Sequence, residues 1–316
     1  MRWGLVGTRG LASFGAAPAI GRSELGELTA VLGTDAARAR VLADKHGAPI
    51  ATTSLDEFLA APGLEAVWVA SPTSLHREQG LAALSAGKHV LMEKPLAIDA
   101  AGAWTLVRAA RDADRVLATG YQARYVIGHR RMAELIREGA IGSPTVARTY
   151  YGIHRPGPPP EWRRRRESAR WGALADVGTH HLDLIRMLLG EVSEAAALWD
   201  AQLGFETDDV VAAALRLEDG PLATLTATSN VWTQSTRVEV NGTAGALVAV
   251  DTSPKGEGSV TLYRRDREPE DVTGERVAPW AAQVDAVTRA ALGEPVAYAT
   301  GEDGARNVEI LERLIP

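Results

Sequence analysis

Lys94, Asp176 and His180 are the residues whose types and neighbours suit proton and oxygen chemistry. Lys94 lies in the stretch GKHVLMEKP (residues 87–95), where an apolar segment, residues 89–92, reads as a short buried strand and a proline follows the lysine. A lysine at the carboxyl end of a strand in an open parallel sheet stands where such sheets bind ligands. Its ammonium can hold a hydroxyl or carbonyl oxygen, and partial desolvation lowers its pKa toward useful values. Taken alone it also fits a solvated surface lysine. Residues 176–183 (DVGTHHLD) run into the apolar stretch 184–189. Residues four and seven apart share a helix face, so Asp176, His180 and Asp183 are expected to point the same way. Thr179 is the N-cap candidate, which places His180 at the helix start and Asp176 just before it. A histidine is the natural proton shuttle for an alcohol being oxidised, and a carboxylate beside it orients the ring or the substrate. The same groups also suit the capping of a buried helix end. A His/Asp metal site is disfavoured, because no HExxH-type pair or further ligand cluster occurs.

The elements that must carry these residues are legible in the first half. Apolar runs at 2–7 (RWGLVG), 28–32 (LTAVL), 66–70 (AVWVA), 89–92 (HVLM) and 116–119 read as strands. Helix-compatible segments at 11–20, 36–46, 74–86 and 99–112 alternate with them. Such alternation implies right-handed crossovers and a doubly wound parallel sheet covered on both faces.

In such a sheet the first strand–helix turn cradles a pyrophosphate. Here that turn is Gly7-Thr8-Arg9-Gly10-Leu11-Ala12, with Arg9 where the G-x-G-x-x-G/A pattern has its second glycine. The second strand ends at Gly33 and Thr34, with Asp35 just beyond and Arg38 in the next helical turn. An uncharged tip with an arginine nearby, and Arg9 facing the same space, favours NADP over NAD. NAD remains the alternative.

After Gly120 the pattern changes. A helix at 127–138 leads into β runs at 145–151, 192–198, 210–217, 223–228, 236–240, 246–250 and 259–263, with late helices at 280–292 and 304–314. Many strands without intervening helices indicate an α+β domain with a large open, mainly antiparallel sheet. Two domains are expected, a dinucleotide-binding domain at 1–120 and a substrate-binding and oligomerisation domain at 121–316. The proline-rich segment 156–160 reads as a semi-rigid loop or lid. Four arginines at 163–166 read as a basic loop surface, or as partners for a phosphate or carboxylate.

The 316 residues are 46% hydrophobic and 23% charged, as in a globular protein with real cores. With no cysteine there is no disulfide, thiolate metal site or cysteine nucleophile. No apolar run approaches a membrane span, and no secretory signal is visible. A net charge of −6 argues against a nucleic-acid partner. A cytoplasmic protein is expected.

The segments WGLVGTRGLA (3–12), SPTSLH (71–76), AGKHVLMEKPLA (86–97), Trp162-Arg163 and GALADVGTHHLD (172–183) together resemble the Gfo/Idh/MocA family of NAD(P)-dependent sugar and polyol oxidoreductases. The resemblance covers essentially the whole chain. Within the family, residues 75–79 and 300–304 look most like the branch that reduces 1,5-anhydro-D-fructose. It implies a Rossmann domain followed by a sheet domain whose outer face mediates assembly into a homodimer or homotetramer. It further implies that Lys94 holds the reacting oxygen, His180 exchanges its proton, and Asp176 orients substrate and histidine. Glu93 is placed with the cofactor residues and shapes, with Pro95, a turn expected to hold a cis Lys94–Pro95 bond. Gly7, Thr8, Arg9, Gly10, Leu11, Gly33, Thr34, Arg38, Ser71, Pro72, Thr73 and His76 would bind the cofactor. Tyr121, Gln122, Arg124, Trp162 and Arg163 would line the nicotinamide and substrate pocket. The chain departs from the family pattern at Arg9, at Ser74 in place of a common asparagine, and at Arg170-Trp171-Gly172 in place of a triple glycine. Trp171 is placed to narrow or reshape the substrate pocket.

The resulting expectation is hydride transfer between NAD(P) and a secondary alcohol or ketone of a sugar or polyol, with no nucleic-acid or membrane partner and no metal. Two other readings stay open at this stage: a catalytically silent dinucleotide-binding regulatory protein, and an NAD-dependent glycosidase.

Overall fold

The fold comes from a computed structural model, which describes every residue except 156, 254–257 and 276. Its contacts divide the chain into two compact units, Met1–Gly120 with Trp280–Val308, and Tyr121–Pro279 with Glu309–Pro316. The sequence suggests a single cut after residue 120, whereas the contacts group Trp280–Val308 with the first unit. The reason is apolar: Val284 and Val287 join the core built on Trp3, Leu5, Ile20 and Trp68. The Trp3 indole also donates to Thr288 Oγ1 at 3.2 Å.

The first unit is a parallel sheet of β1 (Arg2–Val6), β2 (Glu27–Leu32), β3 (Ile50–Thr52), β4 (Ala66–Val69), β5 (His89–Met92) and β6 (Leu117–Thr119). The order is β3-β2-β1-β4-β5-β6, that of a dinucleotide-binding doubly wound sheet. Strands β1 and β4 are buried almost throughout, which is why they read as unbroken apolar runs rather than as alternations. The short strand β3 and the one-turn helix Leu55–Leu59 escape the sequence reading, being too short to show a period. Side-chain caps start three helices: Asp35 accepts from Arg38 N, Ser54 from Glu57 N, and Asp99 from Gly102 N.

Register decides where the strand ends fall. Leu32, Val6, Val69, Met92 and Thr119 are successive partners across the sheet. Residues just past those ends continue the row: Gly7 N donates to Leu32 O, Gly33 N to Thr52 O, Ala70 N to Val6 O, Glu93 N to Val69 O and Gly120 N to Met92 O. Every strand therefore releases its loop at one level.

The second unit is built on β7 (Pro144–Gly152), β8 (Val192–Asp200), β9 (Val210–Leu217), β10 (Leu222–Thr228), β11 (Ser235–Gly242), β12 (Gly245–Val250), β13 (Ser259–Arg264) and β14 (Glu270–Asp271). The order is β14-β13-β12-β11-β7-β10-β9-β8, and only the β7–β10 pair is parallel. Along β9 the alternation is plain, with Val211, Ala213, Leu215 and Leu217 buried and Ala212, Ala214 and Arg216 exposed. Helices Ile127–Arg137 and Thr179–Leu189 pack on this sheet. Pro156 of the proline-rich segment lies outside the described residues, and residues 157–160 form neither helix nor strand. No helix of the described residues is long and apolar enough to cross a membrane.

His129 and His181 are among the histidines buried in this unit. His129 bonds the Ala123 carbonyl and Thr252 Oγ1, each at 2.8 Å, while His181 packs on the Tyr151 ring at 5.1 Å. Burial pushes His129 down to about 4, and burial with the nearby charge of His129 pushes His181 down to about 3.

Replacing Leu215 by alanine is expected to cost roughly 2–5 kcal/mol in urea unfolding, whereas Arg216→Ala on the opposite face is expected to cost less than about 0.5 kcal/mol. The histidines set a pH dependence whose sign is fixed. Below about 6.5 the unfolded chain takes up two protons that the native state refuses, so stability falls as pH drops toward about 4. Together these two groups make stability fall by roughly 2–3 kcal/mol per pH unit near pH 5. A pH series of urea midpoints checks this, and a flat profile from pH 6.5 to 4.5 would contradict it.

Candidate active site

In the first unit the expected cofactor residues gather at the carboxyl ends of the strands. Gly7 has φ +119°, and a β carbon there would lie 3.0 Å from the Ala70 carbonyl oxygen. Gly10 has φ +56° and open space where a β carbon would stand. The helical run starts at once as a π-helical turn, Ala12–Ala16, and continues as Ala17–Arg22. A β carbon on Gly33 would lie 2.6 Å from Thr8 Cγ2, so glycine lets the second strand tip close against the turn. Arg9, the departure from the glycine pattern, is exposed and lies outside the set of positive-φ residues. It therefore leaves the turn intact. A tight turn with open space above it and a helix behind it fits a dinucleotide pyrophosphate.

The charges at the second strand tip form one group. Asp35 caps its helix, accepts from Arg38 N and pairs with the Arg38 guanidinium at 3.2 Å. The Arg38 backbone N–H, with the charges of Arg38 and Arg9, holds the Asp35 carboxyl below its ordinary value. Two cations thus share one carboxylate at this exposed corner.

Further along the same edge, Glu93 is buried and accepts from the Trp68 indole at 3.1 Å. A β carbon on Gly120 would press on the Glu93 carboxylate at 2.9 Å. Lys94 follows, half-buried, with a cis bond to Pro95. His76 is buried with Nδ1 2.9 Å from the Pro95 carbonyl and Nε2 3.0 Å from the Ser71 carbonyl. Burial pushes its pKa down against the pull of those carbonyls, with the charge of Lys94 adding to the depression. Both ring nitrogens of His76 face backbone, so its visible work is to tie the Ser71 loop to the Lys94–Pro95 turn. Ser71 Oγ donates to Gln79 Oε1, and Pro72 precedes the short 3₁₀ turn Thr73–Leu75.

In the second unit His180 is buried beside two expected pocket residues. Gln122 Nε2 lies 3.5 Å from His180 Nε2, and the Tyr121 ring stands edge-on at 6.0 Å. Tyr121 Oη is hydrogen-bonded to Thr179 Oγ1 at 2.9 Å. Gln122 Oε1 is buried and accepts no hydrogen bond among the described residues. Asp176 accepts from both Arg155 and Arg163. The expected shared face does not extend to Asp183, which is fully buried in a two-point ion pair with Arg124 at 2.7 and 2.6 Å. Arg124 therefore spends its charge on Asp183.

The helix start also differs from expectation. Thr179 is not a cap: Leu174–Gly178 forms a π-helical turn that runs directly into Thr179–Leu189, so Asp176 lies inside the helical run. The cap comes from elsewhere in the sequence. The buried Asp208 carboxylate accepts from Gly172 N at 2.6 Å and Leu174 N at 2.7 Å, and burial raises its pKa against those bonds. A β carbon on Gly172 would stand 1.9 Å from the Asp208 carbonyl oxygen, which no side chain tolerates.

Trp171 does not shape a pocket. Its indole is buried and donates to Ile315 O at 2.9 Å, with Arg170 stacked on the ring. Nor do the four arginines form an anion surface; they fall on two short helices, Glu161–Arg164 and Arg166–Ala169, and each has its own partner. Arg163 bonds Asp176 and stacks on Trp162, Arg164 stacks on Phe205, Arg165 pairs with Glu206, and Arg166 bonds Pro316 O. Sequence reasoning missed Arg155, Asp208 and Tyr151. The Tyr151 hydroxyl is pushed up to about 12 by burial and by the Asp176 charge. Arg155 carried one signal, its place between the end of β7 and the proline-rich segment. Among the described residues no group of three His, Asp or Glu could hold a metal ion.

Comparison with known proteins agrees with both units. Residues 1–121 match the oxidoreductase family with an NAD-binding Rossmann fold, and residues 129–248 match the GFO/IDH/MocA C-terminal domain. A 1,5-anhydro-D-fructose reductase of Ensifer adhaerens is 36% identical over 310 residues, covering 96% of this chain and 92% of that one. A myo-inositol 2-dehydrogenase of Thermotoga maritima is 29% identical over 283 residues, covering 84% and 81%. A solved 3-ketoreductase from Actinomadura kijaniata, in complex with NADP and TDP-benzene, superposes with a TM-score of 0.89 at 25% identity over 99% of this chain and 96% of that one. This chain belongs to the Gfo/Idh/MocA family of oxidoreductases, with an NAD-binding Rossmann unit and the family's C-terminal domain.

Proposed function

We propose that this protein catalyses reversible hydride transfer between a nicotinamide dinucleotide and a secondary alcohol or ketone of a sugar or polyol. The observation that carries the reading is Lys94, set by strand register at the carboxyl end of β5, on the same sheet edge as the phosphate-type turn. The named relatives, a sugar reductase and a polyol dehydrogenase, support the substrate class. The cofactor supplies or accepts the hydride, and the protein supplies position and proton transfer. Gly7, Thr8, Gly10 and Leu11 hold the pyrophosphate, and Ser71, Pro72, Thr73 and Glu93 border the rest of the dinucleotide. Lys94 donates a hydrogen bond to the reacting oxygen and stabilises negative charge there. His180 gives that oxygen its proton in reduction and removes it in oxidation. Asp176, fixed by Arg155 and Arg163, orients the substrate and the histidine. Gln122 offers its unfilled Oε1 to a ligand N–H or O–H, and Tyr121 and Trp162 line the ring-binding space.

NADP is the preferred cofactor in this reading. Arg9 and Arg38 together outweigh Asp35, and an excess of positive charge suits a 2′-phosphate. The open face of the second sheet, with Leu198, Leu222 and Val146 exposed, supports assembly into a homodimer or homotetramer.

Lys94→Ala and His180→Ala are each expected to lower kcat by roughly 10²–10⁴-fold while NADPH binding survives. Steady-state rates on a sugar and polyol panel, with fluorescence titration of cofactor, check this; retained turnover in either variant removes that residue's role. Arg38→Ala is expected to weaken NADPH about tenfold, as for loss of one charged hydrogen bond, and to leave NADH binding nearly unchanged. Equal losses for both cofactors would contradict the NADP preference.

A further inference from the structure

At Arg155 the second unit contains a cavity of about 460 Å³, within the size range of small-molecule sites. Its walls are Trp232, Phe205, Leu203 and Pro158 on the apolar side, with Arg155 and Asn230 as polar groups. We propose that this cavity is a subsite for a second sugar ring, so that the preferred substrate is a glycoside rather than a free monosaccharide. The inference rests on the sugar oxidoreductase reading and adds the substrate's size to it.

Trp232 carries the argument. Its side chain is 87% exposed, on the segment after β10, although a tryptophan normally buries most of its surface. His154 stands against the ring at 5.7 Å and 62°, and His154 is itself anchored through Nδ1 to the Val231 carbonyl at 3.0 Å. An indole face left open matches the C–H face of a pyranose, which is apolar, while the hydroxyl rim of such a ring needs donors and acceptors. Asn230 and Arg155 supply them on the same cavity wall.

Among the described residues Arg155 is the guanidinium that lines the cavity, and it donates to Asp176, which also binds Arg163. Position selects a joined ring. Arg155 lines the cavity and contacts Asp176, and Asp176 is one helical turn from His180. A group in the cavity therefore lies one residue away from the acid–base machinery, where the next ring of a glycoside would stand.

The test compares cellobiose and maltose with glucose, by saturation-transfer NMR for binding and by NADP-linked rates for turnover. At least one disaccharide is expected to bind about tenfold more tightly than glucose. Trp232→Ala is expected to bring that ratio near one, and Trp232→Phe to restore much of it. Disaccharides that bind no better than glucose, or a Trp232→Ala variant that weakens both equally, would overturn the subsite while leaving sugar oxidation standing. Absence of turnover across the whole sugar and polyol panel would instead remove the underlying reading, and the subsite with it. Light scattering on the same variants covers another occupant: loss of an oligomer in Trp232→Ala with unchanged disaccharide binding would make the cavity a protein interface and overturn the proposal.

Discussion

One row of backbone hydrogen bonds organises the first unit. Because Gly7, Gly33, Ala70, Glu93 and Gly120 each bond across to the neighbouring strand at the same level, five loops leave the sheet from a single edge. Parallel strands in register cannot release their loops anywhere else. The phosphate-type turn, the charged corner at Asp35 and Arg38, the Ser71 loop and the Lys94 turn are consequences of that alignment. His76 then joins two of these loops by bridging the Ser71 and Pro95 carbonyls.

The second unit positions its groups by a different device. Its sheet alone does not place His180 or Asp176; a buried carboxylate does. Asp208, at the end of the turn leading into β9, draws the N–H groups of Gly172 and Leu174 to itself and so starts the helical run on a wide π turn. That turn sets Asp176 within reach of Arg155 and Arg163, while the regular helix beyond it carries His180 toward Gln122 and Asp183 toward Arg124. Two carboxylates seven residues apart thus serve different arginines. A π turn near a candidate reactive group is a recurrent arrangement, because the extra residue redirects a side chain without breaking the helix.

Much of this was legible in the sequence. Strand β5 and strand β9 fall where hydrophobic pattern places them, since burial on both faces and burial on one face leave distinct signatures. Lys94, His180 and the Gly7 turn are local readings, and the structure keeps them at strand end, helix and tight turn. What failed was non-local. Nothing around Thr179 announces that Asp208, far along the chain, has taken over its capping work. Nothing in the run of arginines reveals that each has its own partner, since Asp176, the pair Phe205 and Glu206, and Pro316 lie 10 or more residues away in the chain. The indole of Trp171 likewise looked like a pocket wall until its bond to Ile315 O placed it in the interior. Ion pairs and caps made across long sequence separations leave no periodic trace.

The neighbourhood of Gly172 sorts positions by how freely they can be redesigned. Gly172 is closed to every other residue by the Asp208 carbonyl, and Trp171 is committed to the C-terminal segment through its indole. Arg170 beside them holds φ +61° and an ion pair to Glu312. A protein engineer seeking a new substrate range gains nothing from these three residues, although they border Asp176 in sequence. The productive library lies instead on residues 157–160 and 229–232, which carry no regular structure and no comparable packing obligation. Rigid support and adjustable surface are thus separated along the chain, and variation can be confined to the second without disturbing the first.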